Sequence, residues 1–501
     1  MDKRQQRIIG RAARAWRWAS TSAFVIGLFS LAWFVFRTGT KPSRAAYPCQ
    51  QVAAANGTAW LATYLLPVLS VTGFIGEHRS TKRKLLTIAV VLLAAAGAAW
   101  IVSGPGSGPL NAASADQEIR LALEETRATS SPASDLFVVS GTHGNDGGLR
   151  SLIALMAEQG TVFYRSNETG QASGPAGLIA ADDVVLIKIN AQWDQRGGTN
   201  TDLLRSLIQA IVDHPNSFTG EIIVADNGQG QFGPRGSGGS LDWSRNNAEV
   251  RSQSAQDVVN SFAGDHRVST YLWDTITGKR VAEYDEGDAE DGYVLAERKS
   301  PTTGALAAYP KFRSAHGTYV SFKNGIWDPD GGTYDSDRLK LLNVPVLKPH
   351  AIFGVTGCVK HYMGVTSDRL TTSAGSRAHD SVGTGGMGTE IAETRFPTLN
   401  LVDAIWVSLT PGNGPQVYYN DATGVNVIAA STDPVAMDYW AAKYILVQGA
   451  RERGRSNVAS LDPDSGRSFS RWLRLSMDEI AAAGYQVTIE ETRMNVYVSE
   501  L

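Results

Sequence analysis

Cysteine is nearly absent from this chain. Its 501 residues include two, Cys49 and Cys358, so neither a four-thiolate metal site nor an iron–sulfur cluster can be assembled within one chain. Histidine is sparse, with eight in all. Basic charge is short beyond residue 104: residues 105–501 hold 33 Lys and Arg against 47 Asp and Glu, a balance of −14 that argues against nucleic acid as a partner. Apolar material is ample. At 43% hydrophobic and 19% charged residues, the chain has the mix of a folded protein and the length for two or three domains.

Charge is missing altogether from three stretches near the start: "WASTSAFVIGLFSLAWFVF" (18–36), "AWLATYLLPVLSVTGFIG" (59–76) and "LLTIAVVLLAAAGAAWIV" (85–102). Each is about long enough to cross a bilayer, which predicts a membrane domain of three transmembrane helices over residues 1–104. Six basic residues precede the first stretch and four lie in the 77–84 loop, against three in the 37–58 loop. By the excess of basic residues on cytoplasmic segments, the chain starts inside and continues outside after the third span. The expectation is a multi-pass protein of the inner membrane with an extracytoplasmic carboxy-terminal domain and the membrane as one partner. Both cysteines would then face an oxidising compartment, where a Cys49–Cys358 bond is open.

The Gly/Pro/Ser-rich run from Ser103 predicts a linker over 105–130, followed by a domain over 131–501. Within it, "DLFVVS" (135–140), "DVVLIKI" (183–189), "EIIVAD" (221–226), "VPVLK" (344–348), "LVDAIWVSL" (401–409) and "VNVIAAS" (425–431) read as buried strands. Helical patterns such as "LRSLIALMAEQ" (149–159) and Thr199 to Asp213 lie between them. Strands apolar on both faces that alternate with helices predict an α/β fold, a mainly parallel sheet with helices on both faces, preceded by the all-α membrane domain. The interval 230–335 is rich in Gly, Asp and Ser and reads as a long insertion.

In such sheets ligands sit beyond the carboxyl ends of the strands. The polar residues there are His143, Asn145 and Asp146, then Lys188 and Asn190, Asp226 and Asn227, Lys348 and His350, and Asp433. All are expected on one edge if the strands are parallel. The most crowded stretch is "LKPHAIFGVTGCVKHYMG" (347–364), with two of the eight histidines, one of the two cysteines and two lysines. Either Lys348 and Lys360 are exposed and His350 and His361 bond to backbone, or the group forms an anion pocket. In a pocket the lysines would be charge partners and the histidines proton-transfer groups or metal ligands.

Other motifs carry alternatives of their own. "GTHGNDGG" (141–148) is an anion-holding loop or a plain turn, and "TGGMG" (384–388) a phosphate approach or a flexible loop. "DPDGGTYDSD" (328–337) offers carboxylates to calcium or is an exposed turn, while "YDEGDAEDGY" (284–293) reads as a solvated loop. Asp433 before Pro434 is a helix cap or a site residue.

Three blocks, "VVLIKINAQWDQRGGTNTDLLRSLIQAI", "NVPVLKPHAIFGVTGCVKHYMG" and "IAASTDPVAMDYWAA", resemble the signature regions of the bacterial family catalogued as domain of unknown function 362, over roughly residues 135–450. The resemblance implies family positions at Lys188 and Asn190, at Lys348, His350, Lys360 and Gly364, and at Asp433, Pro434 and Asp438. Many members have Asn where this chain has His361, and some carry a ferredoxin-like Cys-rich segment that is absent here.

Two functions of different class are compatible with these residues. The first is an enzyme acting on an anionic small molecule, phosphorylated or carboxylated. In it His350, His361 and Lys360 are catalytic, Lys188, Asn190, Lys348 and His143 bind substrate, and Asp226 with Asp433 are candidate ligands for a divalent metal. The second is a ligand-binding or assembly protein of the cell envelope that transforms nothing. The sequence names no protein partner, and beyond that candidate metal it names no cofactor.

Overall fold

The computed structural model describes residues 118–168, 170–229 and 238–501, together with Ser30. Contacts divide the chain into Met1–Ala113 and Ser114–Leu501, and every described strand belongs to the second unit. In chain order the strands are β1 (Ser134–Ser140), the short β2 (Tyr164–Arg165) and β3 (Ser173–Gly174), β4 (Val184–Ile189), β5 (Glu221–Asp226) and β6 (Val268–Leu272). Next come β7 (Gly292–Leu295), β8 (Ala308–Arg313), β9 (Tyr319–Ser321), β10 (Gly325–Asp328) and β11 (Thr333–Asp335). The last are β12 (Leu339–Val344), β13 (Lys348–His350), β14 (Gly354–Thr356), β15 (Leu399–Ser408), β16 (Ala422–Ser431) and β17 (Met494–Glu500).

Eight of these form one sheet in the order β17-β1-β16-β15-β12-β4-β5-β6. All neighbours are parallel except at β16, which runs against both β1 and β15. The sheet separates two apolar layers because successive side chains point to opposite faces. Leu136, Val138 and Leu186 join one layer, with Met437, Phe469 and Trp472. Phe137, Val139 and Val185 join the other, with Leu152, Leu207 and Val258. The expected α/β class with a mostly parallel sheet is what the chain forms. The insertion holds a second, five-stranded antiparallel sheet in the order β11-β10-β9-β8-β7, as well as β6, which extends the main sheet.

Two expectations are corrected. "VPVLK" is not a sheet strand: the sheet takes the preceding "LKLLNV", and Lys348 opens the separate β13–β14 hairpin. The multi-pass inner-membrane placement with an extracytoplasmic carboxy-terminal domain is also withdrawn, because among the described residues no helix is long and apolar enough to cross a membrane. The three stretches that prompted it, 18–36, 59–76 and 85–102, lie outside the described residues, as does Cys49. Cys358 is a free, buried thiol.

The glycines of "TGGMG" serve packing. They open the helix Gly386–Glu393, which lies against the helix Ser468–Ala482 so closely that a Cβ on Gly388 would stand 2.5 Å from Ser476 Cα. Backbone cannot yield there as a flexible side chain could. Gly388→Ala is therefore expected to cost about 1–3 kcal/mol of stability, read as a lower midpoint in urea unfolding at unchanged slope.

Candidate functional site

The apolar run of β4 ends in a charge. Lys188 is buried and its Nζ lies 2.7 Å from Asp226 Oδ1 at the end of the neighbouring β5. The ammonium also donates to the Ile189 carbonyl at 3.1 Å, and Asp226 Oδ2 accepts the Ala191 N–H at 2.7 Å. Burial lowers the proton affinity of Lys188 and the Asp226 carboxylate opposes that. Gly364 comes from the other side, and only glycine fits: a Cβ there would stand 2.3 Å from Asp226 Oδ1 and 2.4 Å from Lys188 Nζ.

After β12 the chain leaves the sheet. Asn190 fastens this departure, its Oδ1 accepting the Val346 N–H at 2.8 Å. The β13–β14 hairpin then delivers His350, whose Nδ1 accepts the N–H groups of Ile352 and Phe353 at 3.1 and 3.3 Å. A ring nitrogen that accepts two backbone donors carries no proton, so the proton sits on Nε2. Next, Asp438 on the helix Pro434–Ala441 accepts the N–H of Cys358 with one oxygen and that of Val359 with the other, at 3.0 Å. That grip fixes the start of the short helix Lys360–Gly364 and so aims Lys360 and His361. His361 Nδ1 meets Asn343 Oδ1 at 2.7 Å. Since the Asn343 amide nitrogen already donates to the Cys358 carbonyl and to Asn400 Oδ1, the ring must be the donor. His361 Nε2 is thus a lone pair, buried and with no hydrogen-bond partner among the described residues. The Ile189 carbonyl lies beside this ring and opposes the lowering of its proton affinity.

Lys188, Lys348 and Lys360 are at most 6% exposed, and the charge of Lys188 bears on both of the others. Lys348 donates to the Gly197 carbonyl. Burial, with Lys360 next, pulls its pKa down to about 7 against the pull of Asp226 and Asp403. Lys360 is likewise lowered to about 7, by burial and then by Lys188. Its Nζ lies 5.4 Å from the Phe353 ring centre and makes no hydrogen bond or ion pair among the described residues. Burial and these ammonium groups hold His350 and His361 well below the ordinary imidazole value, so both are neutral at pH 7.

Three residues of the site are not among those the sequence pointed to. Asp403, in the middle of β15, accepts the N–H of Asn200 at 2.7 Å and the Asn247 amide at 3.2 Å, and burial raises its pKa to about 6. Asn343 orients His361. Both are buried polar residues inside largely apolar strands, which is the signal that would have found them. His379 is half-buried, with its ring 6.3 Å from that of His350 and 5.4 Å from that of Phe353. Burial and Lys360 lower its pKa to about 4.

Other expected residues lie elsewhere. His143 is exposed at the end of β1, and its loop is closed by its own carboxylate: Asp146 accepts from Thr142 Oγ1, from the His143 N–H and from the Gly148 N–H that opens the following helix. Asn145 reaches Glu249 instead. Asn227 bonds Tyr293, Thr277 and the Thr366 carbonyl, bracing the far end of the loop. Asp433 is not brought to Asp226. Because β16 is reversed, it emerges beside the start of β1, where its oxygens accept from Ser134, Val435, Ala436 and Thr488. No group of three metal-ligating side chains occurs among the described residues. In "DPDGGTYDSD" Asp328 accepts the Asp330 N–H in the β10–β11 turn, while Asp337 pairs with Arg165 and Lys340. The run 284–293 is built into the insertion sheet, with Asp291 bonded to Tyr271 and Asp288 paired with Lys311.

No curated protein and no solved structure matches the chain significantly. A family model described as domain of unknown function (DUF362) matches residues 336–443, a segment that includes the second and third of the three blocks and the residues His350, Lys360, His361 and Asp438. That match identifies residues 336–443, the segment that carries most of this site, as a DUF362 domain.

Proposed function

We propose that this protein is an enzyme that binds a small anionic molecule, phosphorylated or carboxylated, on Lys348 and Lys360 and moves a proton at it with His361 and His350. The observation that carries this is Lys360, a side chain only 6% exposed whose ammonium has no hydrogen bond or ion pair among the described residues. A buried charge is expensive unless paired, and a bound anion would supply the pair. The two imidazoles are complementary: His361 offers a lone pair, suited to accept a proton, and His350 offers an N–H, suited to donate to a developing oxyanion. Lys188 is already spent on Asp226, so it shapes the floor and lends its field to the site. Binding without turnover is the competing outcome.

Proton uptake tests it. An anion restores the lysines toward their ordinary value, so binding of inorganic sulfate, whose charge is constant over this range, should take up about one to two protons at pH 8 and almost none at pH 6, where both lysines are already charged. Affinity should fall as pH rises through about 7. Calorimetric titration in buffers of different ionisation enthalpy reads both. Binding with no proton exchange at either pH would remove the lysines from the site.

A further inference from the structure

Resting on that reading, we infer that the ligand presents a dianionic phosphoryl group and not a carboxylate. The argument is a charge balance within the cluster. Lys188 is matched by Asp226 through a direct ion pair. The buried Arg196 acts on Asp403, both bound to Asn247: Arg196 donates to its amide oxygen at 2.8 Å, and Asp403 accepts from its amide nitrogen at 3.2 Å. Each of these two carboxylates thus has a cation other than Lys348 and Lys360 acting on it. Asp226 and Asp403 are the two carboxylates that act on Lys348, and both have their oxygens engaged: Asp226 by Lys188 and Ala191, Asp403 by Asn200, Asn247 and Ile405.

Lys348 and Lys360 are left over, and they sit on either side of one group: Lys348 opens the strand whose His350 packs on Phe353 at 5.1 Å, and Lys360 Nζ lies 5.4 Å from that same ring. The three imidazoles around them, His350, His361 and His379, are neutral at pH 7 and add nothing to the sum. A carboxylate brings one charge and leaves one lysine uncompensated. A phosphate monoester brings about two at neutral pH, its second pKa being near 6, and three terminal oxygens. Those oxygens match Lys348, Lys360 and the outward Nε2–H of His350 in number and in kind, each contact being a hydrogen bond to a charged acceptor. The bare Nε2 of His361 remains free to accept a proton from a neighbouring ligand group.

Phenyl phosphate and benzoate share a ring and differ in the anionic group, so they separate the two cases when titrated into the full chain. Phenyl phosphate should bind at least about tenfold more tightly at pH 7, the least that an additional buried charge pair is expected to contribute. Its affinity should pass through a maximum between about pH 6 and 7, rising as the ester loses its second proton and falling as the lysines lose theirs, while benzoate shows only the falling limb. Lys348→Met should erase the preference by weakening phenyl phosphate and sparing benzoate. Equal affinities in the parent would overturn the dianion while leaving an anion site intact. Failure of both ligands to bind, or binding unchanged by Lys360→Met, would instead sink the proposed function itself.

Discussion

Lys360→Met is expected to abolish phosphate binding while leaving the protein at least as stable as the parent. Most losses of a buried side chain are destabilising, so the sign is the point. Methionine fills nearly the same volume, touches Phe353 as the lysine stem does, and removes an ammonium that has no bonding partner among the described residues. Replacing uncompensated buried charge with an apolar isostere is worth about 1–3 kcal/mol in favour of the fold. The pH dependence follows from the same group. Lys360 and Lys348 titrate near 7 in the folded chain and near the ordinary 10.5 once unfolded, so between those values the unfolded chain binds more protons. Stability of the ligand-free parent therefore rises with pH from about 7 toward 10. Lys360→Met should flatten that rise. Thermal melts from pH 6 to 10, paired with phosphate titration, give both readings; a variant that melts lower and still binds would reverse the assignment.

The same substitution at Lys188, in β4, should do the opposite. Lys188→Met leaves Asp226 buried against Gly364 with, among the described residues, only the Ala191 N–H to hold it, and the expected loss is about 3–5 kcal/mol. Adding Asp226→Asn, which removes the stranded charge and keeps an acceptor for Ala191, should recover more than half of the loss. A double-mutant cycle by urea unfolding measures the coupling directly. Additive effects would mean that the pair contributes through packing alone.

These contrasts show what a linear sequence could and could not reveal. "DLFVVS", "DVVLIKI", "EIIVAD", "LVDAIWVSL" and "VNVIAAS" were legible as strands because a strand buried on both faces is apolar throughout, and all five enter the main sheet. "LKLLNV" is harder to see because Lys340 and Asn343 interrupt its run, yet Asn343 is polar for a reason, namely to hold His361. Direction was less legible than existence. The reversal of β16 sends Asp433 to a cap beside Ser134, and the hint lay in the connector 409–421, Gly- and Pro-containing and without helical periodicity, too poor in helix for a parallel crossover. Crowding around 347–364 pointed to the right stretch. It could not tell that Lys188 would be neutralised and Lys360 left over, because that depends on where Asp226 and Asp438 arrive from distant segments.

The placement of β1 has a consequence for the order in which this fold can assemble. Its neighbours on either side are β16 and β17, so Asp135 is bonded to Ser431, 296 residues on, and to Asn495, 360 residues on. During synthesis the first of the described strands must wait for nearly all the others. Closing such long loops is entropically slow, and until it happens β1 presents two unpaired edges of Leu, Phe and Val. Half of the sheet, β4, β5, β6 and β12 with the Lys188–Asp226 pair at its edge, can form without it. A nascent chain of this protein thus holds its charge-bearing half before its first strand has a place, and in that interval a chaperone would find β1 exposed.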